Sequence, residues 1–129
     1  MWTVWLPVAA YAALIFTLSS VPQLTPPTGV NHVDKLVHFV EYGILGALLA
    51  RAFGHTLPGG RPLFHTLLAV AIGGAVAAAD EVYQGTVGRE RDVLDWAADM
   101  VGLVVVAAFF ATRRARSRNE RDSIGSTDR

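Results

Sequence analysis

The chain has 129 residues, 52% of them hydrophobic and 17% charged, with 11 basic residues against 11 acidic ones and no cysteine. That length suits one domain of ordinary size and not two. Such an apolar composition points away from a soluble enzyme and towards a membrane protein; the zero net charge suggests no nucleic-acid partner, and the missing cysteines exclude disulfides, thiolate chemistry and cysteine-based zinc sites.

The first apolar segment is residues 2–20, "WTVWLPVAAYAALIFTLSS", which carries no charge. It has no basic n-region, its apolar run exceeds that of a signal-peptide core, and no A-x-A site follows, so it is expected to stay as a membrane helix. The second segment is 34–53, "DKLVHFVEYGILGALLARAF", the third 63–84, "LFHTLLAVAIGGAVAAADEVYQ", and the fourth 92–112, "DVLDWAADMVGLVVVAAFFAT". Each has the roughly 20 residues that a helix needs to cross about 30 Å of hydrocarbon. The connectors "VPQLTPPTGVN", "GHTLPGGRP" and "GTVGRER" are rich in glycine, proline and polar residues. The expectation is an all-α, four-helix transmembrane bundle over 1–112, followed by a basic tail, 113–129, that is polar enough to be disordered.

Basic residues set the expected orientation. Arginines crowd the tail, and Arg51 and Arg61 flank the loop between helices two and three, whereas the loop between helices one and two has no basic residue. The positive-inside rule then puts both termini in the cytoplasm of a bacterial cell membrane, with Arg89 and Arg91 of the last loop dissenting. In that topology Asp34, Lys35 and His38, then Asp80, Glu81 and Gln84, then Asp92, Asp95 and Asp99 all meet at the outer face.

Helical spacing sharpens the convergence. Asp34 and His38 are i, i+4, with Glu41 and Tyr42 one turn deeper; Asp80 and Gln84 are i, i+4; Asp92, Asp95 and Asp99 form one stripe. Glu41 and Asp99 come out roughly 10 Å below the helix starts, where a charge normally faces a partner or a water-filled cavity. An outward-facing polar pocket is therefore expected, with Lys35, His38, Arg89 and Arg91 offsetting the acids. The helix dipole by itself accounts for Asp34, Asp92 and Asp95 at helix N-termini, but disfavours Asp80 and Glu81 at a C-terminus and does not reach Asp99. Glu41 has the alternative of snorkelling. His55 and His65 are expected in plain loop roles, Trp2, Trp5 and Trp96 as interfacial belt or packing residues, and Gly46, Ala50, Gly73 and Gly74 at close helix approaches.

"DKLVHFVEYGILGALL" resembles the D-K-x-x-H-F-x-x-Y-x-x-L signature of the VanZ-like family. "ADEVYQ" resembles its D-E-x-x-Q element, "GRERDVLDWAADMVG" its G-R-x-x-D-x-x-D-x-x-A-D-x-x-G element, and "TLSSVP" the S-S-x-P before its first loop. The likeness covers about residues 15–105 and matches Ser19, Ser20, Asp34, Lys35, His38, Tyr42, Asp80, Glu81, Gln84, Gly88, Arg89, Asp92, Asp95 and Asp99. One departure stands out: the family's Q-x-F-x-P-G-R is "QGTVGR" here, a residue shorter and without its phenylalanine and proline.

That family is named for a low-level teicoplanin-resistance protein, so the resemblance implies an envelope role, with a lipid-linked cell-wall precursor or a glycopeptide as partner beside the lipid bilayer. From the residues themselves, three classes stay open. One binds a polar headgroup or peptide-bearing ligand in the outer pocket. Another is a membrane hydrolase or transferase, with His38, Glu81 and Asp95 as candidate catalytic groups and a divalent metal as an option. The third, a proton or cation path, meets dry inner halves, "LVVVAAFF" and "LLAVAIGG". No motif names a cofactor, and a homo-oligomer stays open.

Overall fold

The computed structural model describes the backbone of residues 2–21, 31–88 and 93–127. It holds four helices, α1 (Trp2–Ser19), α2 (Asn31–Thr56), α3 (Pro62–Thr86) and α4 (Val93–Thr127). All four are long and apolar enough to cross a membrane. They run up and down in turn: α1 is parallel to α3 and α2 to α4, because the C-terminal ends of α1 and α3 meet, as do the N-terminal ends of α2 and α4.

Local chemistry sets the helix ends. α3 opens with Pro62 after an extended Arg61 (φ −67°, ψ 148°), where a missing N–H removes nothing and the fixed φ suits a helix. It closes through the Val87 N–H on the Tyr83 and Gln84 carbonyls, and Gly88 follows at φ 81°, the left-handed position that glycine takes without strain.

Packing places α2 and α3 side by side, with α1 and α4 each lying against both. Tyr42, Leu45, Leu49, Ile15 and Leu103 are the largest apolar side chains at the buried centre. Around them Trp2, Leu6, Leu63, Leu67 and Val93 point outward, as they do when lipid is the solvent. Lipid chains are as apolar as leucine, so helices in a bilayer associate through close packing and polar contacts. The α2–α4 seam shows this. A Cβ at Gly102 would run into the Phe39 carbonyl oxygen and approach Gly43 N to 3.1 Å, and one at Gly46 would meet the Leu103 oxygen at 3.0 Å. Leu103 in turn rests on Gly73, and Met100 on Gly74. The expected close approach at Gly46, Gly73 and Gly74 is present; Gly102, the tightest of them, is the last glycine of the G-R-x-x-D-x-x-D-x-x-A-D-x-x-G element and stands four residues after Ala98.

One expectation is corrected. The tail is not irregular: α4 continues without a break past Thr112 to Thr127. Arginine, alanine and glutamate are good helix formers, and the helix is held where it emerges, with Arg118 Nη1 donating to the Pro58 carbonyl at 2.8 Å and Arg113 lying over the Phe109 ring at 5.7 Å. An exposed helix of this kind shows no apolar period, so its polarity alone suggested disorder.

Candidate functional site

Two sets of polar contacts tie the helices together at one end of the bundle. In the first, between α1 and α3, Asp80 Oδ2 accepts from Ser19 Oγ at 2.9 Å and from Gln84 Nε2 at 2.8 Å. The i, i+4 spacing of Asp80 and Gln84 puts both on the α3 face that meets α1. A turn's edge outward, the hydroxyls of Ser20 and Tyr83 are 2.7 Å apart, and Tyr83 packs edge-on against Phe16. Tyr83 is absent from the sequence-derived site, although its place three residues after Asp80 marks the same face.

The second set joins α2 to α4. Lys35 Nζ donates to Asp95 Oδ1 at 2.8 Å, and His38 Nδ1 lies 2.9 Å from Asp99 Oδ1. With Asp99 ionised, its carboxylate only accepts and Nδ1 carries the hydrogen. The other ring nitrogen, Nε2, faces Asp95 Oδ2 at 3.8 Å, too long for a hydrogen bond. One histidine is thus gripped by Asp99 and faced by Asp95 from a single helix face, as the i, i+4 spacing of the two acids demands. Asp99 lies about 9 Å along α4 from Val93 and is 1% exposed.

Tyr42 and Glu81 stand between the two sets. Tyr42 is fully buried, within electrostatic reach of both Asp80 and Asp99. Glu81 is half-buried and feels the charges of His38, Asp95, Asp99 and Asp80. Asp80 Oδ1 and the Tyr42 hydroxyl are buried side-chain atoms without a hydrogen-bond partner among the described residues. His38, Asp80, Gln84, Asp95 and Asp99 are all buried, so they form a closed network with the part-exposed Lys35 and Glu81 at its rim.

Ser19, Lys35, His38, Tyr42, Asp80, Glu81, Gln84, Asp95 and Asp99 therefore share one end of the bundle, with Ser20 at its edge. Arg89 and Asp92 lie outside the described residues, as do Arg91 and the side chain of Asp34. Glu41 departs from the expected stripe. It lines a groove between α1 and α2 with Tyr11, Leu18 and Val40, because the 100° between successive helix residues puts it on the other flank of His38 from the buried Tyr42. No group of three or more histidine and acidic side chains among the described residues is arranged to hold a metal ion. At the opposite end His65, expected in a loop role, is buried in α3, where Nε2 donates to the Leu57 carbonyl at 3.0 Å and secures the turn after α2.

Four apolar helices closed at one end by a buried carboxylate, histidine and lysine network define a multi-pass membrane protein with a polar centre at one membrane face. The VanZ/LLP1 family model matches residues 1–114, and the chain belongs to that family. No curated protein and no solved structure matches it.

Proposed function

We propose that the protein binds the polar headgroup or peptide of an envelope ligand, a lipid-linked cell-wall precursor or a glycopeptide, at this network, with the network facing outward from a bacterial plasma membrane. The supporting observation is the pair of partnerless buried atoms, Asp80 Oδ1 and Tyr42 Oη, inside a network where neighbouring groups are paired. Leaving such groups unsatisfied costs about 1–3 kcal/mol each, and an atom that retains this cost in a paired surrounding invites a partner. Asp80 Oδ1 accepts only, so it suits a ligand that offers an amine, an amide N–H or a hydroxyl, and the Tyr42 hydroxyl can donate in return. Asp80, Glu81, Asp95 and Asp99 outnumber Lys35 and His38, which favours an amine-bearing or zwitterionic group over a plain phosphate. The teicoplanin link of VanZ-like proteins fits a peptide-bearing ligand of this kind.

The test is teicoplanin susceptibility of cells carrying the parent, Tyr42→Phe or Asp80→Asn, with membrane-inserted protein quantified in parallel. Asp80→Asn removes a charge, which lowers the transfer cost into the bilayer, and keeps an acceptor oxygen for Ser19 and Gln84. Tyr42→Phe deletes only a partnerless hydroxyl, so both variants should insert at parental levels and lose the resistance. Full resistance in both, or loss only in proportion to protein, defeats the reading.

A second reading rests on the His38–Asp99 pair. A histidine oriented by one carboxylate through Nδ1, with Nε2 facing a second, Asp95, is an arrangement that can serve proton transfer, and it supports a membrane hydrolase or transferase.

A further inference from the structure

At the other end of the bundle the sign of charge reverses. Arg51 of α2 with Arg113 and Arg114 of α4 line a cleft of ≈ 450 Å³, floored by Ala50 and Phe110. Arg114 also borders a second cleft of ≈ 330 Å³ that holds Arg61, Arg118 and His65. His55 feels the charges of both Arg114 and Arg51, so these two guanidinium groups act on the same region. The ion pairs of the described residues all lie at the carboxylate end. Arg118 is engaged by the Pro58 carbonyl and Arg113 by the Phe109 ring, whereas Arg51 and Arg114 have no acceptor among the described residues.

We propose that Arg51, Arg113 and Arg114 form a binding site for the phosphate of an anionic phospholipid. Like charges brought together from two helices repel unless an anion joins them, and guanidinium groups match phosphate oxygens in a two-pronged geometry. Depth selects the source of that phosphate. Arg51 is 20 residues beyond Asn31 and Arg113 is 20 beyond Val93, so each lies about 30 Å along its helix from the carboxylate end. That is one hydrocarbon thickness, and it sets the arginines at the level of the phosphates of the opposite leaflet. Phe110, about half exposed, offers an apolar wall to an acyl chain beside the cleft. Basic pockets between helices at a membrane face take lipid headgroups for the same reasons.

Arg114 is also seated by a specific feature of α2. A Cβ at Gly54 would meet Arg114 Cδ at 2.9 Å and Nε at 3.0 Å. The side chain therefore lies flat on the helix, and its guanidinium is held between the two clefts. Gly54→Ala leaves every charge in place and forces this side chain to move, which separates a built site from a diffuse basic surface.

The experiment takes the full chain in an uncharged detergent and follows its thermal unfolding during titration with short-chain phosphatidylglycerol, phosphatidylcholine or inorganic phosphate. Phosphatidylglycerol should stabilise the parent saturably, with little effect of the other two. Arg51→Gln and Arg114→Gln should each weaken the apparent affinity about tenfold, as loss of a charge-assisted hydrogen bond does. Gly54→Ala should weaken it in the same direction, while Arg116→Gln and Arg121→Gln, which remove the same charge from positions lining neither cleft, should stay within about twofold. Equal losses across all four arginine variants, or an unaffected Gly54→Ala, reduce the feature to general surface charge and overturn the site. Stabilisation by inorganic phosphate at the concentrations where the lipid acts overturns the lipid assignment.

Discussion

The His38–Asp99 pair should be among the strongest polar links between helices in this protein, and its strength can be measured as a coupling energy. His38 and Asp99 are 5% and 1% exposed and sit 2.9 Å apart. Asp99→Ala leaves a buried Nδ1–H without an acceptor, a loss of about 1–3 kcal/mol, whereas Asp99→Asn keeps an acceptor oxygen and should lose less. In membrane proteins such couplings average about 0.6 kcal/mol and reach about 1.7, because the unfolded helices also find partners in the bilayer. A short, charge-assisted and almost fully enclosed contact belongs at the upper end, so the cycle of His38→Ala, Asp99→Ala and the double variant should give about 1–1.7 kcal/mol, a five- to twentyfold change in the unfolding equilibrium. The Lys35–Asp95 pair, with Lys35 about a quarter exposed, should couple less, since water screens it. Reversible unfolding in mixed micelles measures both cycles. A His38–Asp99 coupling below about 0.3–0.5 kcal/mol, the scatter expected of independent sites, or a larger value for Lys35–Asp95, refutes this ranking.

Three more outcomes are expected. Gly102→Ala should lower stability by about 1–3 kcal/mol through overpacking against the Phe39 carbonyl, while Gly59→Ala, which meets nothing within 4 Å, should stay within about 0.5 kcal/mol; thermal unfolding in detergent compares them. A topology reporter after Arg121 should be cytoplasmic and one within 22–32 external, as the arginine distribution requires; the reverse result turns the carboxylate network inward and ends the proposal of an envelope ligand. His38→Lys should retain ligand-dependent resistance if a positive charge is what the network uses, and His38→Ala should not; loss in both favours the imidazole nitrogen and the enzyme reading.

The helices are legible in the sequence because a bilayer imposes one length, and runs such as 63–84 have no other use for their composition. The convergence of Lys35, His38, Asp80, Gln84, Asp95 and Asp99 is legible too, since alternating crossings and a 3.6-residue period put them at one level and on single faces, and Ser19 joins them through the likeness of "TLSSVP" to the family's S-S-x-P. Which face meets which helix is not. The division into an α1–α3 set and an α2–α4 set, the rotation of Glu41 into the α1–α2 groove and the seating of Gly102 on Phe39 depend on how each helix is turned against its neighbours. That turn is decided by contacts between residues some 60 positions apart, such as Ser19 with Asp80 or Lys35 with Asp95, and no local spacing encodes it.

The same physics explains why function and cohesion overlap here and where they part. Lipid gives helices no hydrophobic reason to associate, so the polar contacts that could serve a ligand also hold α1 to α3 and α2 to α4. Replacing Ser19, Gln84, Asp95 or Asp99 disturbs both at once, and a lost phenotype then says little about binding. Tyr42 Oη and Asp80 Oδ1 differ, because among the described residues neither joins two helices by a hydrogen bond. Tyr42→Phe removes one oxygen from a side chain whose ring fills the centre of the bundle, and so leaves the packing as it was. If the hydroxyl serves only the fold, pairing with Asp80 Oδ1 as the side chains move, stability should drop in this variant and Asp80→Asn should abolish the difference. If it serves a ligand, stability should hold or rise, as when a buried group with no partner is deleted, and the resistance alone should disappear.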